Sequence, residues 1–342
     1  MRGILLLSFG GPEAPDEVLP FLQRVTAGRG VPGERLRLVA GHYAARGGVS
    51  PINAENRRLI AALRAELDRR GHDVPIFWGN RHSRPYVDEA LQEASRVGVS
   101  ELTVILTSAY PSYSSCRQYR EDLAAAQART NLPVALTKVG PYALTPGFIE
   151  AATDVLTQAL TKVSATASSS ESGPRDLPYV LFVTHSIPEQ MDLTSGTVPG
   201  RAYTSTHREV VQRVCSATAR RVGAPVFGEL VFCSRSGPPQ QPWLGPDIND
   251  RLHELAADGI RAVAVHPIGF VSDHMEVVHD VDTEARNTAV DLGIDLVRVP
   301  TVGTHPAFVT QLVDLALTGP KFCPAGCCPN LRTDHDAACG ED

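Results

Sequence analysis

The sequence predicts an α/β chain of two similar domains, each a four-stranded parallel sheet flanked by helices. Three observations lead there. Short apolar runs rich in Val, Leu, Ile and Ala, closed by Gly, Pro or Ser, alternate with amphipathic stretches, as strands alternate with helices in a covered parallel sheet. The alternation runs four times, pauses, and runs four times more. The 342 residues, 43% hydrophobic and 20% charged, suffice for two buried cores.

In the first half, residues 4–8 read as a buried strand that ends at Phe9-Gly10-Gly11-Pro12, and Asp16 is placed to cap a helix over 17–24. A short helix and a Gly/Pro-punctuated loop follow over 38–52, carrying His42, Tyr43, Arg46 and Ser50. Residues 54–70 are helical, with Leu59, Ile60, Leu63 and Leu67 on one side. Strands at 74–79 and 102–108 flank a helix at 87–96. The hydroxyl- and Arg-rich stretch Tyr110 to Arg120 leads to a helix at 121–129 and a strand at 134–139.

The second half opens with a helix at 147–163 and a Ser/Ala/Gly-rich segment, 164–174, which reads as a flexible surface insertion. Strands follow at 179–184, 225–232, 262–267 and 295–299, with helices at 205–222, 247–257 and 275–291. Three units result: an N-terminal domain, 1–145; a C-terminal domain, 146–305; and a cysteine-rich tail, 318–342. Helix 306–317 is expected to pack back on the first domain.

A net charge of −6 argues against a nucleic-acid binder. The basic residues are almost all Arg, with Lys only at 138, 162 and 321. Arg suits carboxylate ligands through its planar fork, although base composition would produce the same bias. The chain begins Met-Arg-Gly and enters a strand at once, with no apolar run long enough to span a bilayer. A cytoplasmic monomer without integral membrane contact is expected.

Ligands of open parallel sheets bind beyond the carboxyl ends of the strands. The residues there include Phe9, His82, Tyr110 to Arg120, His185, Ser234 to Ser236, and Asp273 to Glu276. Glu276, Asp280 and Glu284 recur every four residues on one helix, while Val277, Val278 and Val281 turn toward a core. Three stacked carboxylates without an interleaved cation either face bulk water or attract metal ions. A lone strand-end histidine is commonly structural, but His185 and Glu276 follow strands of the same sheet, so one mouth can hold both. Asp273 precedes the helix as a cap. The Gly-Gly turns complete no nucleotide fingerprint, and Ser236 lacks a hydrolase elbow. Of seven Cys, four (Cys323, Cys327, Cys328, Cys339) crowd into the last twenty residues, which points to a metal or iron–sulfur site, whereas Cys215 and Cys233 read as core.

The chain resembles the ferrochelatases, which insert ferrous iron into a porphyrin. The resemblance rests on Leu7-Ser8-Phe9-Gly10-Gly11-Pro12, Gly47-Gly48-Val49-Ser50-Pro51, Thr107 to Ser114, Thr184-His185-Ser186-Ile187-Pro188, Pro242-Trp243-Leu244-Gly245-Pro246 and Gly269 to Glu276. It implies two Rossmann-like domains of chelatase type with the macrocycle between them, and His185 and Glu276 facing each other across its centre as catalytic and metal-binding residues. Asp280 and Glu284 then extend the metal set as a path for iron or protons. Phe9, Tyr43, Arg46, Ser50, Tyr113, Arg117 and Tyr119 are expected to line the porphyrin, with Phe9 standing where some relatives carry Tyr. The Arg- and Tyr-bearing loops favour coproporphyrin III, with its four propionates, and Fe2+ as substrates. Protoporphyrin IX, a sirohydrochlorin-type cobalt chelation and a haem or porphyrin carrier are the alternatives. The tail resembles the [2Fe–2S]-binding extension of part of the family, with Cys116, Cys323, Cys327 and Cys328 as ligands, Cys339 substituting for one, and structural zinc as the other reading.

Overall fold

The structure, a computed structural model, describes residues 1–167, 177–197, 200–237, 240–319, 323–333 and 335–339. In the first half the order is β1 (Arg2–Ser8), α1 (Val18–Val25), α2 (Gly33–Ala44), α3 (Ile52–Arg69), β2 (Ile76–Asn80), α4 (Val87–Arg96), β3 (Glu101–Leu106), α5 (Gln118–Thr130) and β4 (Ala135–Lys138). The second half holds α6 (Pro146–Ala167), β5 (Tyr179–His185), α7 (Glu189–Leu193), α8 (Ala202–Val222), β6 (Gly228–Cys233), α9 (Ile248–Ala257), β7 (Ala262–His266), α10 (Met275–His279), α11 (Arg286–Asp291), β8 (Asp295–Arg298) and α12 (Pro306–Leu317).

Both sheets are parallel and share one topology, β2-β1-β3-β4 and β6-β5-β7-β8. The central strands are buried on both faces, which is why they read as unbroken apolar runs. Leu5 of β1, for example, lies in register with Phe77 on one side and Val104 on the other. A continuous apolar cluster runs from Ile4 and Leu6 through Phe148 and Leu156 of α6 and Phe308 and Leu312 of α12 to Val180 and Phe182 of β5. Helix α12 packs against α3, α6 and β3, so the last helix closes over the first sheet.

Several local expectations are revised. Helix α2 spans 12 residues and gives the loop before Gly47 a full helical base. Gly48, at φ +76°, turns the chain where a Cβ would sit 2.6 Å from Pro15 Cα, so this turn demands glycine. Asp16 lies inside a 3-10 turn capped at Ala14, and Asp273 makes no cap hydrogen bond to the helix that starts after His274. Helix α6 continues to Ala167, beyond the expected end at 163; positions 168–174 of the anticipated insertion lie outside the described residues. Two π-helical segments, Tyr113–Arg117 and Asp280–Ala285, were not anticipated. The second interrupts the expected single helix 275–291 and lies directly under the carboxylate row. Such segments recur at functional sites.

Candidate active site and cysteine cluster

His185 is the last residue of β5 and is fixed from both sides. Tyr203 Oη donates to the His185 carbonyl (2.8 Å), and Thr184 Oγ1 lies 2.8 Å from the same phenol. The ring Nδ1 contacts the Ser186 carbonyl. A carbonyl can only accept, so Nδ1 carries the proton and Nε2 of the neutral ring presents its lone pair. Nε2 lies 3.5 Å from Glu276 Oε2. Two lone-pair atoms face each other at that distance, and a proton or a cation between them completes the pair.

Glu276 heads the row predicted from sequence, and the π-helical segment explains why the row stays straight. Residues four apart on an α-helix drift by about 40°, whereas the wider π turn falls short of a full revolution over four residues. The α step from Glu276 to Asp280 and the π step from Asp280 to Glu284 therefore offset each other. Asp280 accepts from Ser234 Oγ at the end of β6. Burial, with Glu276 and Glu284 nearby, pushes its carboxyl up to about 6 against the opposing Ser234 hydrogen bond. His279 joins the row: among the described residues, His279, Asp280 and Glu284 are the one group of three metal-ligand side chains with donor atoms within 4.8 Å of one another. His279 Nε2 stands 3.3 Å from Glu284 Oε1. Its ring stacks on His42 of the first half at 3.8 Å between centroids.

The first half closes over this helix. Arg46 Nη2 donates to the Val278 carbonyl (3.2 Å) and Thr283 Oγ1 (2.6 Å). Tyr43 is buried, and burial with the Glu276 charge pushes its phenol well above the ordinary value. Val18, Phe21, Leu22 and Tyr43 pack with Met275, and Phe9 lies against this cluster. Below, Arg298 clamps the segment by donating to Asp273 Oδ1 (2.6 Å) and Asp282 Oδ1 (3.0 Å). Asp273 thus braces the loop as an ion-pair partner.

Beside Phe9 and His82, both expected at strand ends, lies a cationic corner of Arg24, Arg29 and Arg81 that sequence reasoning missed. The His82 ring sits 4.6 Å from Phe9, and its pKa is pushed down to about 3 by burial and by Arg81, Arg29 and Arg24. Arg24 Nε donates to the His82 carbonyl (3.0 Å). Arg29 is exposed, close enough to Arg81 and Arg332 to feel their charge. The available signal was the Gly28-Arg29-Gly30 turn just after α1.

Other expected porphyrin residues are engaged within the protein. Ser50 is 4% exposed, with its amide bonded to the Pro12 carbonyl (2.9 Å). Tyr119 is core, its ring covered by the Arg81 guanidinium at 4.6 Å. Arg117 donates to the Ala325 carbonyl and, at 3.4 Å, to the His335 carbonyl. Tyr113 Oη donates to Glu121 Oε2 (3.0 Å) and accepts from Asn330 (2.9 Å). The loop that sequence reasoning aimed at the porphyrin is instead engaged by the tail.

The tail gathers cysteines. Cys116, in the first π-helical segment, forms one buried cluster with Cys323, Cys327 and Cys328. Cys116 contacts Cys323, Cys323 contacts Cys327, and Cys327 Sγ is 3.6 Å from Cys328 Sγ. Cys339 is not one of these four buried sulfurs; it packs against the core of the first sheet, close enough to Cys116 and Cys323 to feel their charge. Cys328 also reaches the second half: its amide donates to the Gly196 carbonyl (3.1 Å), and the Gly196 amide donates to its sulfur (3.0 Å). Two buried cations adjoin the set. Arg120, 1% exposed, donates to the Ala338 carbonyl (2.8 Å), the Pro324 carbonyl (3.2 Å) and Cys323 Sγ (3.6 Å). Lys138, also 1% exposed, donates to the Val139 carbonyl (2.8 Å) and lies beside Cys116.

The sequence profile of the family described as Ferrochelatase matches residues 1–319. The chain belongs to the ferrochelatase family. It is 45% identical to the coproporphyrin III ferrochelatase of Leifsonia xyli subsp. xyli, covering 96% of this chain and 91% of that protein. It is 43% identical to the coproporphyrin III ferrochelatase of Streptomyces coelicolor, covering 99% and 96%. Among solved structures, the sirohydrochlorin chelatase SirB from Bacillus subtilis subspecies spizizenii in complex with cobalt aligns at TM-score 0.49 and 11% identity, over 92% of this chain and 95% of that one. The family match ends at 319, so the described cysteines Cys323, Cys327, Cys328 and Cys339 lie beyond it. Within this ferrochelatase the two halves meet where α2 and the turn after it touch Met275, Val278 and His279, and the Glu276 side chain beside them stays exposed. Among the described residues no helix is long and apolar enough to cross a membrane.

Proposed function

We propose that this chain inserts Fe2+ into coproporphyrin III, releasing two protons, with the macrocycle held between the two halves and its centre between His185 and Glu276. The observation that carries this reading is the His185 Nε2 to Glu276 Oε2 pair at 3.5 Å, placed at the head of the Asp280–Glu284 row. Metallation needs a proton acceptor and oxygen donors at one point. His185 offers a lone pair of fixed tautomer, and Glu276 offers carboxylate oxygens. His279, Asp280 and Glu284 provide a mixed nitrogen and oxygen set suited to holding Fe2+ in transit. Ionised above about pH 6, Asp280 can accept a proton that leaves the centre. The curated relatives act on coproporphyrin III, as their names state, and the exposed Arg29 with Arg24 provides cations for propionates beside Phe9. Phe9, Tyr43 and Arg46 border the macrocycle in this reading. Anaerobic incubation with Fe2+ and either coproporphyrin III or protoporphyrin IX, followed by loss of the free-base spectrum, tests it. A preference for protoporphyrin IX would overturn the substrate assignment.

The cysteine set fits a [2Fe–2S] cluster held by Cys116, Cys323, Cys327 and Cys328. The four thiols are buried together and follow one another as an extended chain. Among the described residues no three of them lie within 4.8 Å of one another, the compactness expected of a single tetrahedral ion with Zn–S bonds of about 2.3 Å. Cys339, beside Cys116 and Cys323 on the first sheet, is the alternative fourth ligand. When bound, the cluster supplies one-electron chemistry and a covalent tie between tail and body; metallation itself needs no electron. Brown colour with iron and sulfide in the purified protein supports this assignment, and a colourless zinc protein refutes it.

A further inference from the structure

We infer that Arg120 and Lys138 are the buried counter-charges of the four-cysteine centre and hold up its reduction potential, an inference that rests on the [2Fe–2S] reading of that site. Both cations are almost fully buried. Among the described residues, neither forms an ion pair with a carboxylate: the acceptors of Arg120 are two carbonyls and Cys323 Sγ, and those of Lys138 are the Val139 carbonyl and the Cys116 sulfur. The buried carboxylate close by, Glu121, is engaged by Arg117 (3.4 Å) and Tyr113 (3.0 Å). A buried charge with only neutral partners is strongly disfavoured. Four neutral thiols would leave two such charges side by side.

Four thiolates around a cluster remove the problem. The oxidised core carries two positive charges and the thiolates four negative, so the centre is a dianion that Arg120 and Lys138 neutralise. Reduction places one further electron on the cluster, and two adjacent cations stabilise the added charge. Hydrogen bonds to sulfur act in the same direction, and here they come from Arg120 to Cys323 and from the Gly196 amide to Cys328. The cations sit on the body of the protein, at the start of α5 and the end of β4, whereas three of the sulfurs sit on the tail. The body therefore offers a charged socket that the tail fills only as a thiolate centre.

The test uses the full chain, purified without oxygen, as wild type, Lys138→Met and Arg120→Gln, with Lys138→Arg and Arg120→Lys as charge-keeping partners. Iron and sulfide per chain, visible absorption, the paramagnetic signal after dithionite reduction and a mediated redox titration are recorded. Each neutral variant is expected to shift the one-electron equilibrium at least tenfold toward the oxidised cluster, about 59 mV more negative. The charge-keeping variants should stay near wild type. Loss of the cluster from a neutral variant but not from its charge-keeping partner supports the same role. A loaded cluster with unchanged potential in both neutral variants, or equal cluster loss in neutral and charge-keeping variants, overturns the inference while leaving the cluster intact as a reading. A wild type that is colourless overturns both.

Discussion

Replacing Asp280 by Asn should stabilise the protein while impairing it. The Asp280 carboxyl is raised from 3.8 to about 6 because it is buried beside Glu276 and Glu284. Each pKa unit corresponds to about 1.4 kcal/mol, so keeping this group ionised in the folded state costs on the order of 3 kcal/mol above pH 6. Water at the open end of the row and coupling to its neighbours reduce the expected gain to about 2 kcal/mol. The sign follows from linkage. A raised folded-state pKa favours folding below the unfolded value of 3.8, and that contribution is lost as pH rises through about 6. Asn keeps the size and an acceptor for Ser234 Oγ but does not titrate. Urea unfolding should therefore find Asp280→Asn about 2 kcal/mol more stable at pH 7.5, with the margin roughly halved at pH 5. Iron insertion should fall about a hundredfold if the carboxylate relays protons from the centre. A variant no more stable than wild type at pH 7.5, or ahead by the same margin at pH 5, would refute the claim that the row is held at a cost in stability.

Other outcomes can be checked alongside. Glu276→Gln should abolish insertion, whereas Glu284→Gln should slow it or raise the iron requirement; equal losses in single-turnover assays would contradict a division between reacting centre and transit. Arg29→Ala should raise KM for coproporphyrin III by several-fold and leave a porphyrin with fewer propionates less affected, read from initial rates on both. Arg298→Ala removes the partner of Asp273 and Asp282 and should cost about 1–3 kcal/mol while loosening the loop before Glu276. His207 and His266 are fully buried, and burial depresses each to about 3. The unfolded chain takes up these protons first as pH falls below 6.5, so stability present above that value is lost toward pH 3. Each group should cost about 2 kcal/mol between pH 8 and pH 5, and His266→Phe should flatten that slope.

The sequence by itself determined the eight strands, their grouping into two sheets and the placing of His185 and Glu276 at one mouth; that they face each other was only implied by the family resemblance until the fold set them 3.5 Å apart. Buried parallel strands must be apolar on both faces, and such sheets bind ligands at one predictable end. The row Glu276, Asp280, Glu284 was equally legible, because like charges at one spacing stand out against helical periodicity. What the sequence could not determine is where long side chains from distant segments end. Arg117 and Tyr113 look like porphyrin contacts from their loop, yet they bond to residues more than 200 positions later, and no local pattern encodes that choice. The π-helical segment was hidden because its composition is that of an ordinary helix, and only the packing of Val277, Val281 and Ala285 into the second core shows which turn is widened. His42 and His279, far apart in the chain, meet only because the two halves close on each other. Which cysteines converge was likewise a tertiary outcome: spacing left Cys339 as an alternative, and the fold buries Cys116 with Cys323, Cys327 and Cys328 while Arg120 holds the end of the tail, with Cys339, against the first sheet beside them.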